Sequence, residues 1–360
     1  MSTTALNDLF RFPIVQAPMA GGASCPELVG AVCEAGALGF LAGGYKTAGG
    51  LYQEIKRVRG LTSRPFGVNL FLPPGGPHAD PAAVEVYRHQ LAGEATWYDT
   101  SLGEADEGRD DGYDAKLAIL LEDPVRVVSF TFGCPAPETL AAFARAGTFT
   151  LVTVTSAEDA VAAQQAGADA VCVQGAEAGG HQSTYRDDPA DDGTPGTGLL
   201  ALVTEVRESV ALPIVATGGI MRGAQIAAAL AAGADAAQLG TAFLPCPESG
   251  AHPLHKRALT DPLFTRTAFT RAFSGRPARG LVNRFMREHG PYAPAAYPEV
   301  HHLTAPLRKA AATSGDAQGM ALWAGQGHRL ARELPAGQLV EVLTAELDTA
   351  LSDLAHRSAS

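Results

Sequence analysis

Short apolar runs recur along the chain, each bounded by small residues or by proline. Four of them follow a helix-like stretch that ends in Ala-Gly-Ala or Ala-Gly-Thr. These are Ala35-Gly36-Ala37 before LGFLA, Ala146-Gly147-Thr148 before FTLVTV, Ala166-Gly167-Ala168 before DAVCVQ, and Ala232-Gly233-Ala234 before DAAQLG. Glycine just past a helix end accepts a left-handed backbone, so each pattern reads as helix, stop, strand. Proline opens three other runs, FPIVQAP (12–18), RPFGVNLF (64–71) and LPIVATGG (212–219), where it supplies an extended start. The pattern predicts eight strands near 13–17, 38–42, 66–71, 125–130, 149–154, 169–174, 213–217 and 235–240. Runs without polar alternation suit parallel strands buried on both faces. Helical patterns separate most of them, as at 27–35, 157–166 and 223–232. Eight strand–helix alternations over about 240 residues predict an α/β fold, a (β/α)8 TIM barrel. A doubly wound sheet comes second, because no G-x-G-x-x-G follows an early strand.

The predicted division has three parts. Residues 1–244 form the barrel, with a long insertion at about 73–124. Residues 245–335 form a smaller, mainly helical cap domain, and 336–360 a helix that returns to the barrel and ends in a frayed tail, HRSAS. Within the insertion, PAAVEVYRHQLAGEA and YDAKLAILLED have helical patterns, and EADEGRDD (104–111) reads as a solvated loop.

Composition narrows the function classes. A hydrophobic fraction of 46% with 18% charged residues excludes a disordered chain. A net charge of -11 repels phosphate backbones, so no nucleic-acid partner is expected. No unbroken apolar stretch reaches membrane-spanning length, and MSTTALNDLF lacks the features of a signal peptide. The expectation is a cytoplasmic protein without a membrane partner, its oligomeric state left open. The five cysteines, Cys25, Cys33, Cys134, Cys172 and Cys246, are odd in number and lack C-x-x-C spacing, which fits reduced thiols. His252 and His255, and the adjacent His301 and His302, have no ligand partners at metal spacing; they read as surface histidines, and no metal is expected.

In a barrel the chemistry sits at the C-terminal strand ends. Those ends carry amides, glycines and one histidine: Asn69 after the third strand, Gln174 through His181 after the sixth, Gly218-Gly219 after the seventh, and Gln238, Leu239, Gly240 and Thr241 at the eighth. There is no carboxylate pair, G-x-S-x-G elbow or Walker loop. Gly-Gly-Ile and Gly-Thr on adjacent strands, each before a helix-prone stretch, suit a phosphate held by bare backbone N–H groups. With Asn69, Gln174 and Gln238 as neutral hydrogen-bonding groups, the mouth suits a heteroaromatic ring carrying a phosphate, and flavin mononucleotide (FMN) fits it better than a sugar phosphate. His181, behind Gly179-Gly180, is placed to act as a base or as a charge stabiliser. Glu177 reads as a residue that orients the loop.

These segments resemble the nitronate monooxygenases, formerly called 2-nitropropane dioxygenases. The resemblance runs through PIVQAPMAGGASCPELVGAVCEAGALGFLAGGY, RPFGVNLFLP, VVSFTFGCP, DAVCVQGAEAGGHQST, PIVATGGI, GADAAQLGTAFL, AFSGRPARGLVNRF and ALWAGQG, and covers most of residues 12–330. It implies an FMN-containing TIM barrel with a helical second domain. By motif it implies that Asn69, Gln174, Gly179, Gly218, Gly219 and Gln238 through Thr241 hold FMN, that Met19 lies beside the ring, and that His181 is catalytic. Ser274-Gly275-Arg276 and Trp323 to Gln326 would border the site. The implied reaction is oxidative denitrification: a small-molecule nitronate, such as propionate 3-nitronate, or a nitroalkane reacts with O2 to give a carbonyl compound and nitrite. A flavin-dependent enoyl-thioester reductase, an isomerase or aldolase barrel using only the phosphate site, and a non-catalytic flavin-binding protein stay open as alternatives. GVNLFLP and SFTFGCP favour the monooxygenase over the reductase.

Overall fold

The computed structural model describes residues 5–75, 79–105, 108–186 and 196–359. Eleven strands are present among them: β1 (Ile14–Gln16), β2 (Phe40–Ala42), β3 (Gly67–Phe71), β4 (Val127–Thr131), β5 (Phe149–Val154), β6 (Ala170–Gln174), β7 (Gly180–His181), β8 (Ile214–Thr217), β9 (Ala236–Leu239), β10 (Thr267–Thr270) and β11 (Ala278–Leu281). Eight of them pair in parallel in the order β1-β9-β8-β6-β5-β4-β3-β2. A parallel bridge between Val15 and Leu38 brings the two ends together, with Leu38 N donating to Ile14 O at 3.0 Å and Gln16 N to Leu38 O at 2.8 Å. The result is the predicted TIM barrel, its strands within a residue or two of the positions read from the pattern. The four helix-stop glycines, Gly36, Gly147, Gly167 and Gly233, all have left-handed φ, from 74° to 112°. That conformation turns each helix into the strand that follows.

Side chains alternate across a strand, so one parity faces the barrel axis. At the N-terminal ends that parity is apolar. Val15, Leu38, Phe40, Val127, Phe149, Leu151, Cys172 and Val215 form one buried cluster, closed from below by Leu6 and Leu9. Two residues further along the same face come Asn69, Ser129, Thr153, Gln174, Thr217 and Gln238. The opposite parity, including Val68, Val128, Val152, Val171 and Ile214, packs against the helices in the largest cluster.

The insertion supplies helices Pro81–Gln90, Ala92–Trp97 and Tyr113–Glu122. Beyond β9 the chain forms helices Pro253–Ala258, Arg284–His289 and Glu299–Thr313. It also forms a feature the pattern did not predict, an antiparallel sheet in the order β10-β11-β7. Its third strand is the loop that carries His181, with Ala278 opposite His181 and Arg279 opposite Gly180. The last helix, Ala336–Ala359, packs on helices Gly223–Ala231 and Pro26–Glu34. The helix runs to Ala359, into the tail that the sequence predicts to fray, and residues 351–357 are exposed. Once packed turns nucleate a helix, each further residue adds a hydrogen bond at little cost.

Gly223 marks the tightest approach of that last helix. A Cβ there would lie 2.2 Å from Leu347 N and 2.4 Å from Glu346 Cβ. Gly223→Ala should push the two helices apart and destabilise the fold by about 1–3 kcal/mol. A urea midpoint equal to wild type would show that the helix yields without cost.

Candidate active site

The polar ends of the inner strand face open into a cavity of about 550 Å3 at the barrel mouth. It is lined by Met19, Asn69, Gln174, Gly179, His181, Gly218, Gly219, Gln238, Gly240 and Thr241, among others. Of the predicted catalytic and cofactor-binding residues, Leu239 alone is not in the lining; of the two border segments, Ser274 and Trp323 line it and the other residues do not. Leu239 has the outward parity of β9, so its side chain joins the helix-facing core, while its carbonyl accepts from Ala17 N at 2.9 Å.

The amides on the floor are already oriented. Asn69 Nδ2 donates to Ser129 Oγ at 2.9 Å and to Thr131 Oγ1 at 3.0 Å. Gln174 donates from Nε2 to the His181 carbonyl at 2.9 Å and accepts from Ser183 N at 2.8 Å. Both ends of its amide therefore fix the histidine loop. Gln238 Nε2 reaches Cys172 Sγ at 3.4 Å, and Thr217 Oγ1 donates to the Gln238 carbonyl at 2.9 Å.

Gly218 and Gly219 have φ of 143° and 68°, and a Cβ at Gly219 would lie 2.9 Å from Glu177 Cβ, so this turn needs glycine and leaves its backbone bare in the cavity lining. Helix Gly223–Ala231 follows that turn, as predicted. After β9 no regular helix follows; the chain makes consecutive turns, with Phe243 N bonded to Gly240 O at 2.9 Å and Leu244 N to Thr241 O at 3.3 Å. Thr241 Oγ1 accepts from Gly325 N at 2.9 Å, and this joins the turn to the Trp323–Gln326 segment. Glu177 stays out of the cavity. Its carboxylate accepts from Leu199 N at 3.0 Å, at the N-terminus of helix Leu199–Ser209, where a negative charge is favoured.

His181 sits against residues from outside the barrel. Its Nε2 is 2.8 Å from Ser274 Oγ, and Phe132, Tyr297 and Trp323 surround the ring at centroid distances of 5.6–5.7 Å. Burial, and then the charges of Arg276 and Arg308, push its pKa down to about 3. The imidazole is therefore neutral near pH 7. Arg276 lies over the Phe132 ring at 4.0 Å and donates to the carbonyls of Gln182 and Thr184.

The opposite wall escaped the sequence reading. Tyr45, His255, His301, Arg308 and Lys309 all line the cavity. Tyr45 adopts φ of 64°, uncommon for a residue with a side chain. Its N–H donates to Asp111 Oδ1 at 2.9 Å, and Asp111 pairs with the buried Lys116 at 2.7 Å. The Tyr45 ring stacks on His301 at 3.9 Å, and Tyr297 donates its hydroxyl to Tyr45 at 3.3 Å. So the acidic run 104–111 is not simply a solvated loop: Asp111 braces the wall, and Arg109 pairs with Glu299 at 3.5 Å. Residues 106 and 107 of that run lie outside the described residues, as does most of the stretch 185–198.

The histidine pairs also need correction. His252 is exposed and caps its own helix, but His255 bonds the Trp323 carbonyl at 2.9 Å, and burial lowers its pKa to about 4. His301 faces the cavity, and its pKa is held well below the usual range by burial and by Arg308. One signal was available. His301, Ala305 and Arg308 follow at four and three residues, which places them on one helix face.

Among the described residues, one group could gather ligand atoms for a metal: Glu94, Glu288 and His289. Arg284 already pairs with both carboxylates there, and His289 Nε2 lies 3.1 Å from Glu94. The cation those carboxylates hold is the guanidinium.

Residues 3–346 match the family model described as nitronate monooxygenase. The nitronate monooxygenase of Paraburkholderia phytofirmans is 40% identical over 351 residues, which span 95% of this chain and 94% of that one. The nitronate monooxygenase of Pseudomonas aeruginosa is 42% identical over 351 residues, covering 93% of this chain and 96% of its own. A solved structure of nitroalkane oxidase from Streptomyces ansochromogenes superposes with a TM-score of 0.95 at 72% identity, covering 98% of this chain and 100% of that one.

The depressed histidines make stability depend on pH with a definite sign. His181 and His255 have folded pKa values of about 3 and about 4, both below the unfolded value near 6.5. Below about pH 6.5 the unfolded chain binds protons that the folded chain does not, so stability falls as pH falls. Each histidine should cost about 1.5 kcal/mol between about pH 6.5 and 5, a window above most carboxylate titrations. Urea unfolding across that window should show the loss, and a His181→Asn/His255→Asn double variant should show most of it removed. The same slope in both proteins would mean that these histidines are not buried neutral.

Proposed function

The chain belongs to the nitronate monooxygenase family, and we propose that it oxidises small nitronates and their parent nitroalkanes with FMN held at the barrel mouth. It is a flavin-dependent oxidoreductase, a nitronate monooxygenase, and no helix among its described residues is long and apolar enough to cross a membrane. The finer reading concerns the cofactor, the oxidant and the residues. Bound in the mouth, the flavin supplies the redox chemistry by which a nitronate and O2 become a carbonyl compound and nitrite.

The donor set fits FMN. A fused heteroaromatic ring needs hydrogen-bonding groups at its edge and no strong charge beneath it; Asn69, Gln174 and Gln238 meet that need at the strand ends. A terminal phosphate needs N–H groups without side chains in the way, and Gly218, Gly219, Gly240 and Thr241 offer them from β8 and the turn after β9, neighbouring strands of the barrel. Met19 and Gly179 complete the cradle.

The observation that carries the catalytic reading is a neutral His181 anchored at one nitrogen. Ser274 Oγ lies 3.2 Å from the Arg276 carbonyl, an atom that can only accept. With its proton directed there, Ser274 accepts from His181 Nε2–H, and the imidazole lone pair falls on Nδ1. A neutral imidazole with a free lone pair takes a proton; it does not supply a positive charge. His181 therefore removes the α-proton of a neutral nitroalkane and forms the nitronate in place. The 72% identity with a protein named nitroalkane oxidase supports a site that accepts the neutral compound.

His181→Asn should slow nitrite release from a neutral nitroalkane by about 10²–10⁴-fold, the usual worth of a positioned base. On the preformed nitronate the loss should be smaller, with flavin content matched between the two proteins. Equal deficits on both substrates would assign His181 to anion binding, and no deficit on either would remove it from the reaction. For the cofactor, Gly219→Asp puts a Cβ 2.9 Å from Glu177 Cβ, which shifts the turn after β8 and adds a negative charge to it, and should abolish flavin retention. Full occupancy by flavin in a folded Gly219→Asp protein would overturn the assignment.

A further inference from the structure

We infer that Arg308 is the cation that receives the substrate's planar oxyanion, two oxygens sharing one negative charge, as in a nitronate or a carboxylate. The inference rests on the reading of the mouth as the site of nitronate chemistry, and it adds the residue that neutralises the anion. Three positive candidates face the cavity or its wall. His181 is neutral. Lys309 is exposed at the rim, and Arg276 is spent on Phe132 and on the Thr184 and Gln182 carbonyls. Arg308 is different. Its NH2 donates to the His301 carbonyl at 2.9 Å and lies 3.3 Å from His301 Nδ1, which anchors one edge of the guanidinium. Its Nε is shielded and has no hydrogen-bond partner. Among the described residues no carboxylate pairs with it; the nearby Asp111 is taken by Lys116 and by Tyr45 N–H.

A buried charge without a counter-ion is costly, and a donor left unpaired adds to the cost. The fold keeps this partly buried guanidinium in the cavity lining, where a planar anion would supply the missing counter-charge; the shielded Nε stays behind it. Guanidinium presents two parallel N–H groups at the spacing of two oxygens on one atom, which an ammonium cannot do. The support behind Arg308 is rigid: His301 stacks on Tyr45, whose N–H is tied to Asp111. The donor is thus oriented before the anion arrives, and less binding energy is lost to ordering.

The test uses the flavin-loaded protein and two variants, Arg308→Gln and Arg308→Lys. Nitrate is the probe, an unreactive planar oxyanion whose binding is read from the flavin absorbance. Its Kd should rise about 10- to 100-fold in Arg308→Gln, and by less in Arg308→Lys, which keeps the charge but loses the fork. An unchanged Kd in Arg308→Gln, or no saturable nitrate binding in wild type, overturns the inference whether or not any nitro compound is turned over. Steady-state kinetics then separate the two sources of the anion. A raised KM for ethylnitronate, whose only charged group is the nitronate itself, identifies the reacting head. A raised KM confined to nitropropionate, with its carboxylate at the far end, identifies the tail. The same rise for uncharged nitroethane would show a merely structural role and overturn the assignment. Failure of wild type to release nitrite from any of the three would instead defeat the proposed function and leave the nitrate result standing.

Discussion

On six of the eight barrel strands, β3, β4, β5, β6, β8 and β9, the inward face is apolar or small at its start and turns polar further along. The inward parity of β6 runs Ala170, Cys172, Gln174; that of β4 runs Val127, Ser129, Thr131; that of β9 runs Ala236, Gln238. The first residues fill the barrel and stabilise it by burial, while the last ones cannot be buried without partners. They find those partners in each other and in the loops above, as Asn69 does with Ser129 and Thr131, and as Gln174 does with the His181 loop. A cavity floored by oriented neutral amides follows from this change along one face. So does the absence of carboxylates from the floor, since a charge there would have to be desolvated without a counter-ion.

The floor alone makes no active site. The loop after β6 becomes β7 by pairing with β11, so the chain beyond the barrel holds the histidine in place through backbone bonds. The same segment brings Ser274 to Nε2 and Trp323 to the ring. The insertion contributes from the other side, through Lys116, Asp111 and Tyr45. Barrel, cap and insertion thus meet at the imidazole and at the wall opposite it.

This arrangement explains what could be read from the sequence. Strand positions and helix stops were legible because they depend on local properties: apolar runs, proline at a strand start, glycine at a helix end. The floor residues were legible for the same reason, as the last residues of predicted strands. Leu239, included with its neighbours through the motif, is the residue of that group whose side chain turns away from the cavity by the parity of β9. The wall was not legible, because nothing near Tyr45 in sequence announces Asp111 or His301. Those contacts span from 66 to 256 residues of chain and exist only in the folded tertiary structure. A resemblance in motif order pointed to the right family without indicating which side chains the cap would add.

With His181 as the proposed base and Arg308 as the proposed cation, one cavity gives each a separate task. Arg276 and Arg308 both lower the proton affinity of His181, and burial lowers it further. A histidine so placed cannot also be the resting positive charge, because the arginines already make protonation unfavourable. The guanidinium, whose pKa is far higher, keeps its proton under the same burial. This ordering of proton affinities supports the proposed roles, proton removal by the imidazole and anion holding by the guanidinium. The two are coupled, since an anion arriving at Arg308 offsets the field that disfavours imidazolium. Once a nitronate is present, the proton taken by His181 is easier to retain. A neutral base at rest and a stabilised imidazolium after proton transfer are two states of one electrostatic arrangement, and the anion selects between them.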